Sequence, residues 1–187
     1  METIYSELAA RISDAALRKA PGRLLVGIAG PPGCGKSTIA ENVVRLIKKM
    51  PANQQTKPES LALAVSVDGF HYTRRRLDAM PNSEEAYARR GAPWTFDVDG
   101  IVEFVNVLHD SAQLSATKRE PIYAPSFDHA VKDPIADDIV ISPEASVVIL
   151  EGNYLLLDEE KWRDISDCLD LKIFVNVDTE AARDRVA

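Results

Sequence analysis

Residues 24–38 read LLVGIAGPPGCGKST, and their order decides the fold. Leu24, Leu25, Val26, Ile28 and Ala29 make a short apolar run of the kind a fully buried strand shows. Gly30-Pro31-Pro32-Gly33-Cys34-Gly35-Lys36-Ser37 follows at once and completes GxxxxGK[ST]. Beyond it, Ile39, Val43, Leu46 and Ile47 recur at helical spacing, so a helix is predicted over residues 36–49. Strand, glycine loop and helix stand in the order that a phosphate cradle requires.

The residue types of that cradle have physical reasons. Gly30, Gly33 and Gly35 permit strained backbone angles and leave no side chain between the amides and an anion. The helix N-terminus adds attraction for negative charge. Lys36 is placed to reach the β- and γ-phosphates, the Ser37 hydroxyl to sit on Mg²⁺, and Thr38 to add a further phosphate contact. Gly30, Pro31, Pro32, Gly33, Cys34, Gly35, Lys36, Ser37 and Thr38 are thus the expected nucleotide-binding residues.

The chain has 187 residues, 45% apolar and 27% charged, which suits one domain with a sizeable core. Its net charge of -7 argues against broad nucleic-acid or acidic-membrane binding, since such partners want an excess of Lys and Arg. No apolar run is long enough to span a bilayer, and Glu2, Glu7 and Asp14 speak against an import peptide. With Cys34 and Cys168 as its two cysteines, a cytoplasmic location is the expectation.

Working outward, residues 3–19 predict an N-terminal helix, stopped by Pro21-Gly22 before the first strand. Residues 50–60 predict an exposed loop. Residues 61–67 predict a second buried strand that delivers Asp68-Gly69-Phe70-His71-Tyr72 at its carboxyl end. Short helices are expected over residues 74–80 and 82–90, then a longer one capped by Asp99 and carrying Ile101, Val102, Phe104, Val105 and Leu108. Residues 121–134, PIYAPSFDHAVKDP, show neither period and predict an irregular loop rich in aromatic, acidic and imidazole groups. Residues 138–142 suggest a short extended piece. Residues 147–151 and 170–175 predict third and fourth buried strands, the former ending in Glu151. Asp178-Thr179 then opens a helix bearing Arg183 and Arg185. The alternation gives a single α/β domain over residues 1–187, a parallel sheet with helices on both faces in three layers.

Ligands of such sheets bind at the carboxyl ends of the strands. Three strand ends supply the phosphate loop, Asp68 and Glu151, the inventory of a phosphoryl transferase. Lys36 and Mg²⁺ neutralise the phosphates, and Asp68 is the candidate base for an acceptor hydroxyl. Glu151, at the end of an apolar strand, is the candidate for Mg²⁺ or its bound water. His71, Tyr72 and Arg90 are candidates for the acceptor pocket.

GIAGPPGCGKST, VDGFHY at Asp68, RRGAPWTFD ending at Asp97, PIYAPSFDHAVKDP and VVILEGNYLLL at Glu151 together resemble the P-loop kinases of the uridine kinase, pantothenate kinase and phosphoribulokinase type, closest to a uridine kinase-like branch. The resemblance implies the P-loop NTPase fold with a five-stranded parallel sheet, ATP with Mg²⁺, and a small-molecule acceptor. It also implies that Asp68 is the base and that Tyr123, Asp128 and His129 touch the acceptor. Such kinases continue through an arginine-bearing lid to a C-terminal strand, so residues 178–187, with Arg183 and Arg185, read as the start of a truncated lid. A nucleotide-binding module of little activity, working through a protein partner, stays open beside the kinase, as does a homodimer.

Overall fold

The computed structural model describes residues 2–50 and 61–177. Its centre is a four-stranded parallel sheet of order β2-β5-β1-β6, built from β1 (Leu24–Ala29), β2 (Ala62–Ser66), β5 (Val147–Gly152) and β6 (Leu171–Phe174). All six residues of β1 and of β5 are buried, as strands covered on both faces must be. The outer strands β2 and β6 are only partly buried.

Successive side chains of a strand point to opposite faces, and the two cores divide accordingly. Leu24, Val26, Ile28, Val147 and Ile149 face α1 (Glu2–Lys19) and α2 (Lys36–Lys49), meeting Ile12, Val43 and Ile47. Leu25, Ala29, Val148 and Leu150 face the other layer, with Ile101 and Leu108 of α5 (Val98–Ala112) and Trp162 and Ile165 of α6 (Glu160–Asp167). Each such aliphatic side chain contributes about 1.5–3 kcal/mol on burial. Residue 27, on the second face with Leu25 and Ala29, is glycine because a Cβ there would stand 2.4 Å from a Leu169 methyl.

Between β2 and α5 run a 3₁₀ turn (Val67–Phe70) and two short helices, α3 (Arg74–Asp78) and α4 (Ser83–Ala88). Three expectations change. The stretch expected to be an irregular loop is an antiparallel hairpin of β3 (Ile122–Asp128) and β4 (Asp133–Ile141), broken by a register shift between Ala124 and Ser126. Pro125 sits at that shift, where a ladder hydrogen bond is not needed. The cap of the long helix lies two residues before the expected one: Asp97, not Asp99, accepts from the Gly100 amide at 3.3 Å. Asp99 lies in the first turn and pairs with Lys161 of α6. Helix α6 has no counterpart in the sequence reading, because only Trp162 and Ile165 of its eight residues are buried and so short a run shows no clear period. The described residues carry the four parallel strands that the sequence predicts, and Asp178, Thr179, Arg183 and Arg185 lie outside them.

Candidate active site

Strand order and register assemble the site. In β5, Glu151 pairs with Ile28 of β1 on one side and with Ser66, the last residue of β2, on the other. The glycine loop leaves β1 one residue beyond Ile28-Ala29, and Asp68 follows Ser66 by two. Three connections that are far apart in sequence therefore open at the same end of the sheet.

The loop itself divides the labour of its glycines. Gly33 and Gly35 have φ of 73° and 89°, the left-handed region where other residues are strained. Gly30 is required for a different reason: a Cβ there would meet the Val175 carbonyl at 2.7 Å and the Cys34 sulfur at 2.8 Å. Gly35 is the N-cap of α2 and offers no capping side chain, and no acidic residue occupies the first turn. The orphan amides of that turn are left for an anion. Lys36 is buried, its Nζ donating to the Pro31 carbonyl at 3.1 Å and standing 3.9 Å from the Cys34 sulfur. The Ser37 hydroxyl donates to Glu151 Oε1 at 3.0 Å.

Glu151 is 5% exposed, and burial pushes its carboxyl above the usual range. Hydrogen bonds from the Ser66 and Ser37 hydroxyls work against that rise; the Asp68 charge adds to it and the Lys36 charge opposes it. One buried carboxylate thus feels Lys36, Ser37, Ser66 and Asp68 together. A serine hydroxyl beside a carboxylate, with no group of three or more His, Cys, Asp or Glu gathered among the described residues, is a poor cage for a metal alone. It suits Mg²⁺, which keeps several waters and takes its remaining oxygens from phosphates.

Asp68 is partly exposed, its amide donating to the Ser66 hydroxyl oxygen at 3.3 Å. Past it, His71 and Tyr72 border a hollow of about 480 Å³ between the 3₁₀ turn, the N-terminus of α5 and the hairpin. The backbone can close on the hairpin here because residue 69 is glycine; a Cβ would lie 2.3 Å from the Pro125 carbonyl. The His71 ring packs at a tilt against Phe96, centroids 3.9 Å apart, and Phe127 at 5.1 Å, and Phe127 in turn meets His129 at 5.2 Å. Tyr72 lies under the Arg76 guanidinium, 3.9 Å from ring centroid to Cζ.

The other candidates hold different places. Arg90 donates to the carbonyls of Tyr72 and Lys132, pairs with Asp133 at 3.6 Å and lies over the Phe127 ring, so it ties the hairpin turn to the segment after Asp68. The Asp128 carboxylate accepts from the amides of Ala130 and Val131 and shapes that turn. Tyr123 sits on the outward face of β3 opposite Val140, 53% exposed, and does not border the hollow. Ser66, Phe96 and Phe127 escaped the sequence reading. Ser66 carried a usable signal, a hydroxyl at the end of a predicted strand beside a candidate acid; the two phenylalanines looked like any core aromatics.

A parallel three-layer sheet with a glycine cradle, a buried lysine and serine, and a carboxylate on the neighbouring strand defines the P-loop kinase class. A family model described as "Phosphoribulokinase / Uridine kinase family" matches residues 25–184. The chain is 40% identical over 183 residues to "Putative uridine kinase C227.14" of Schizosaccharomyces pombe, covering 98% of this chain and 72% of that one. Among solved structures, the "putative fructose transport system kinase" of Silicibacter sp. TM1040 superposes with a TM-score of 0.74 at 32% identity, over 95% of this chain and 78% of that one. YFH7 of Saccharomyces cerevisiae shares the fold, with a TM-score of 0.82 at 23% identity over 97% and 85% of the two chains. This chain belongs to the phosphoribulokinase and uridine kinase family.

Proposed function

We propose that the protein transfers the γ-phosphoryl group of ATP to a hydroxyl of a small metabolite. The observation that carries this reading is Glu151: its carboxylate bonds the phosphate-loop serine at 3.0 Å and lies in the field of both Lys36 and Asp68. The amides at the start of α2 and Lys36 hold the phosphates. Ser37 and Glu151 would hold Mg²⁺, which when bound supplies neutralisation of charge on the β- and γ-phosphates. Asp68 takes the proton of the acceptor hydroxyl; the acceptor oxygen bonds to the γ-phosphorus as the bond from phosphorus to the bridging oxygen breaks, and ADP leaves. Positioning and charge neutralisation supply most of the acceleration.

The acceptor class is suggested by the relatives, one named for uridine and another for fructose transport. The hollow of about 480 Å³ that Gly69, His71 and Tyr72 border, next in sequence to Asp68, is of a size for a nucleoside or sugar. No described helix is long and apolar enough to cross a membrane, and we take the working partner to be this small molecule in the cytoplasm.

Thermal melting and ADP release test the reading. MgATP should raise the melting temperature of the wild type and not of Lys36→Ala. Asp68→Asn should keep that shift and lose roughly 10²- to 10⁴-fold in turnover, the usual range for a general base. Equal shifts in wild type and Lys36→Ala overturn the phosphate-loop assignment; unchanged turnover in Asp68→Asn moves the base elsewhere. A MgATP shift without turnover of any acceptor favours a nucleotide-binding module.

A further inference from the structure

Ser66 stands between the two acids of the site. Strand alternation sets its direction: Ala62, Ala64 and Ser66 share one face of β2, and Val147, Ile149 and Glu151 share the same face of β5. Ser66 and Glu151 are partners in the parallel register, so hydroxyl and carboxylate are neighbours on the face that α2 covers.

The hydroxyl has two partners, and their chemistry fixes its proton. The Asp68 amide donates to Ser66 Oγ at 3.3 Å, and this bond caps the 3₁₀ turn that presents Asp68. A main-chain N–H can only donate, so Oγ accepts there and keeps its single proton. Its other partner is the Glu151 carboxylate, which when ionised can only accept, so the proton points at Glu151. Glu151 also receives the Ser37 hydroxyl at 3.0 Å. A carboxylate that is 5% exposed is thus held by one donor from α2 and one from β2.

We propose that Ser66 is a positioning residue for phosphoryl transfer: its proton orients the Glu151 carboxylate toward the metal position, and its oxygen holds the turn that carries Asp68. The inference rests on the kinase reading and adds to it a link, through one hydroxyl, between the metal side and the base side of the site. Packing alone does not call for that hydroxyl, since Ala62 and Ala64 fill the same face of β2 without one. Removing a group that orients a metal-binding side chain typically costs about 10- to 100-fold in metal affinity or activity.

The test compares wild type with Ser66→Ala, with Ser66→Cys, of nearly the same size but a weak donor, and with Ser66→Thr, which keeps the hydroxyl. Calorimetry measures the affinity for β,γ-imido-ATP, first in EDTA and then in excess Mg²⁺. The affinity in EDTA should be alike in all four, because the loop amides and Lys36 are intact. The factor by which Mg²⁺ tightens binding should fall about tenfold in Ser66→Ala and Ser66→Cys and stay within about threefold of wild type in Ser66→Thr. In nitrogen-15 spectra of the nucleotide-free protein, the Asp68 amide should exchange with solvent faster in Ser66→Ala than in wild type or Ser66→Thr. An unchanged Mg²⁺ factor in the alanine and cysteine variants, an equal loss in Ser66→Thr, or an unchanged Asp68 amide overturns the inference while the kinase reading stands. A wild type that gains nothing from Mg²⁺ removes the metal role of Glu151 and the inference with it. A wild type that does not bind the analogue under either condition overturns the kinase reading itself.

Discussion

At the scale of single residues, the site concentrates groups that fit their function better than they fit a stable fold. Glu151 is buried with its carboxyl held above the usual range, chiefly by lost hydration. A carboxyl whose folded-state affinity for its proton is raised favours the folded state most below the unfolded value of about 4.3. That contribution disappears as pH rises through the folded value. At neutral pH the ionised side chain therefore costs stability until a cation arrives. Glu151→Gln should raise the melting temperature of the nucleotide-free protein at pH 7.5 by about 2–4 °C, the effect of ~1 kcal/mol in a chain of this size. The gain over wild type should shrink at pH 4.5, and the added shift from Mg²⁺ with ATP should vanish. Scanning fluorimetry at the two pH values checks both; a variant less stable at pH 7.5 than at pH 4.5, relative to wild type, would contradict the burial argument. The glycines show how far residue types alone can be read. Gly33 and Gly35 are glycine for their backbone angles, as the motif leads one to expect, whereas Gly30 is glycine because Val175 and Cys34 crowd it. The second reason depends on a residue 145 positions away and leaves no mark in the loop.

At the scale of elements, the strands with continuous apolar runs were legible, whereas of the hairpin only the extended piece at residues 138–142 was. Strands β1 and β5 are buried on both faces, so nearly every position is apolar. The β3–β4 hairpin lies over the 3₁₀ turn with one face exposed, carries Pro125 and Pro134, and turns through residues 129–132 without a two-residue glycine signal. What holds it in place is partly one side chain. Arg90 reaches the Tyr72 and Lys132 carbonyls, Asp133 and the Phe127 ring, with its Nε enclosed and without a partner. Arg90→Ala should therefore speed amide hydrogen exchange across residues 122–141 more than across β1 or β5, measured by mass spectrometry. Uniform protection in the two regions would show that the strap is dispensable. The sequence placed Arg90 beside the acceptor; the structure gives it a tie between two walls of the hollow.

At the scale of the whole molecule, the end of the sheet away from the phosphate loop is held by two buried arginines. Arg23 donates to the carbonyls of Ala145 and Ser142 and to the Ser111 hydroxyl. Arg119 donates to the carbonyls of Ser111, Pro143, Ala145, Pro21 and Leu114. Together they satisfy loop carbonyls that would otherwise be buried without donors, where each unpaired group costs about 1–3 kcal/mol. The arrangement has its own cost: burial and the neighbouring Arg119 charge bring the Arg23 guanidinium down to about 10. Arg119→Met keeps an apolar stem but leaves several carbonyls unpaired. It should lower stability by roughly 3 kcal/mol or more, a fall of about 6–12 °C in melting temperature, while the MgATP shift persists. Retention of wild-type stability would mean that water satisfies those carbonyls.

By itself the sequence determined the order of strand, glycine loop and helix, the buried strands and the glycine cradle, because each rests on neighbours within a few positions: backbone angles, continuous apolar runs and an uncapped helix start. The sequence also brought Asp68 and Glu151 to the loop's end of the sheet; tertiary structure alone decided that Ser66 joins them there, that Phe96 and Phe127 pack against His71, and that Arg23 and Arg119 close the far end. Those meetings follow from strand order and register, which pair β1 with β5 across 123 positions and β2 with β5 across 85. Such pairings are chosen by the burial of whole faces, so no local pattern records them.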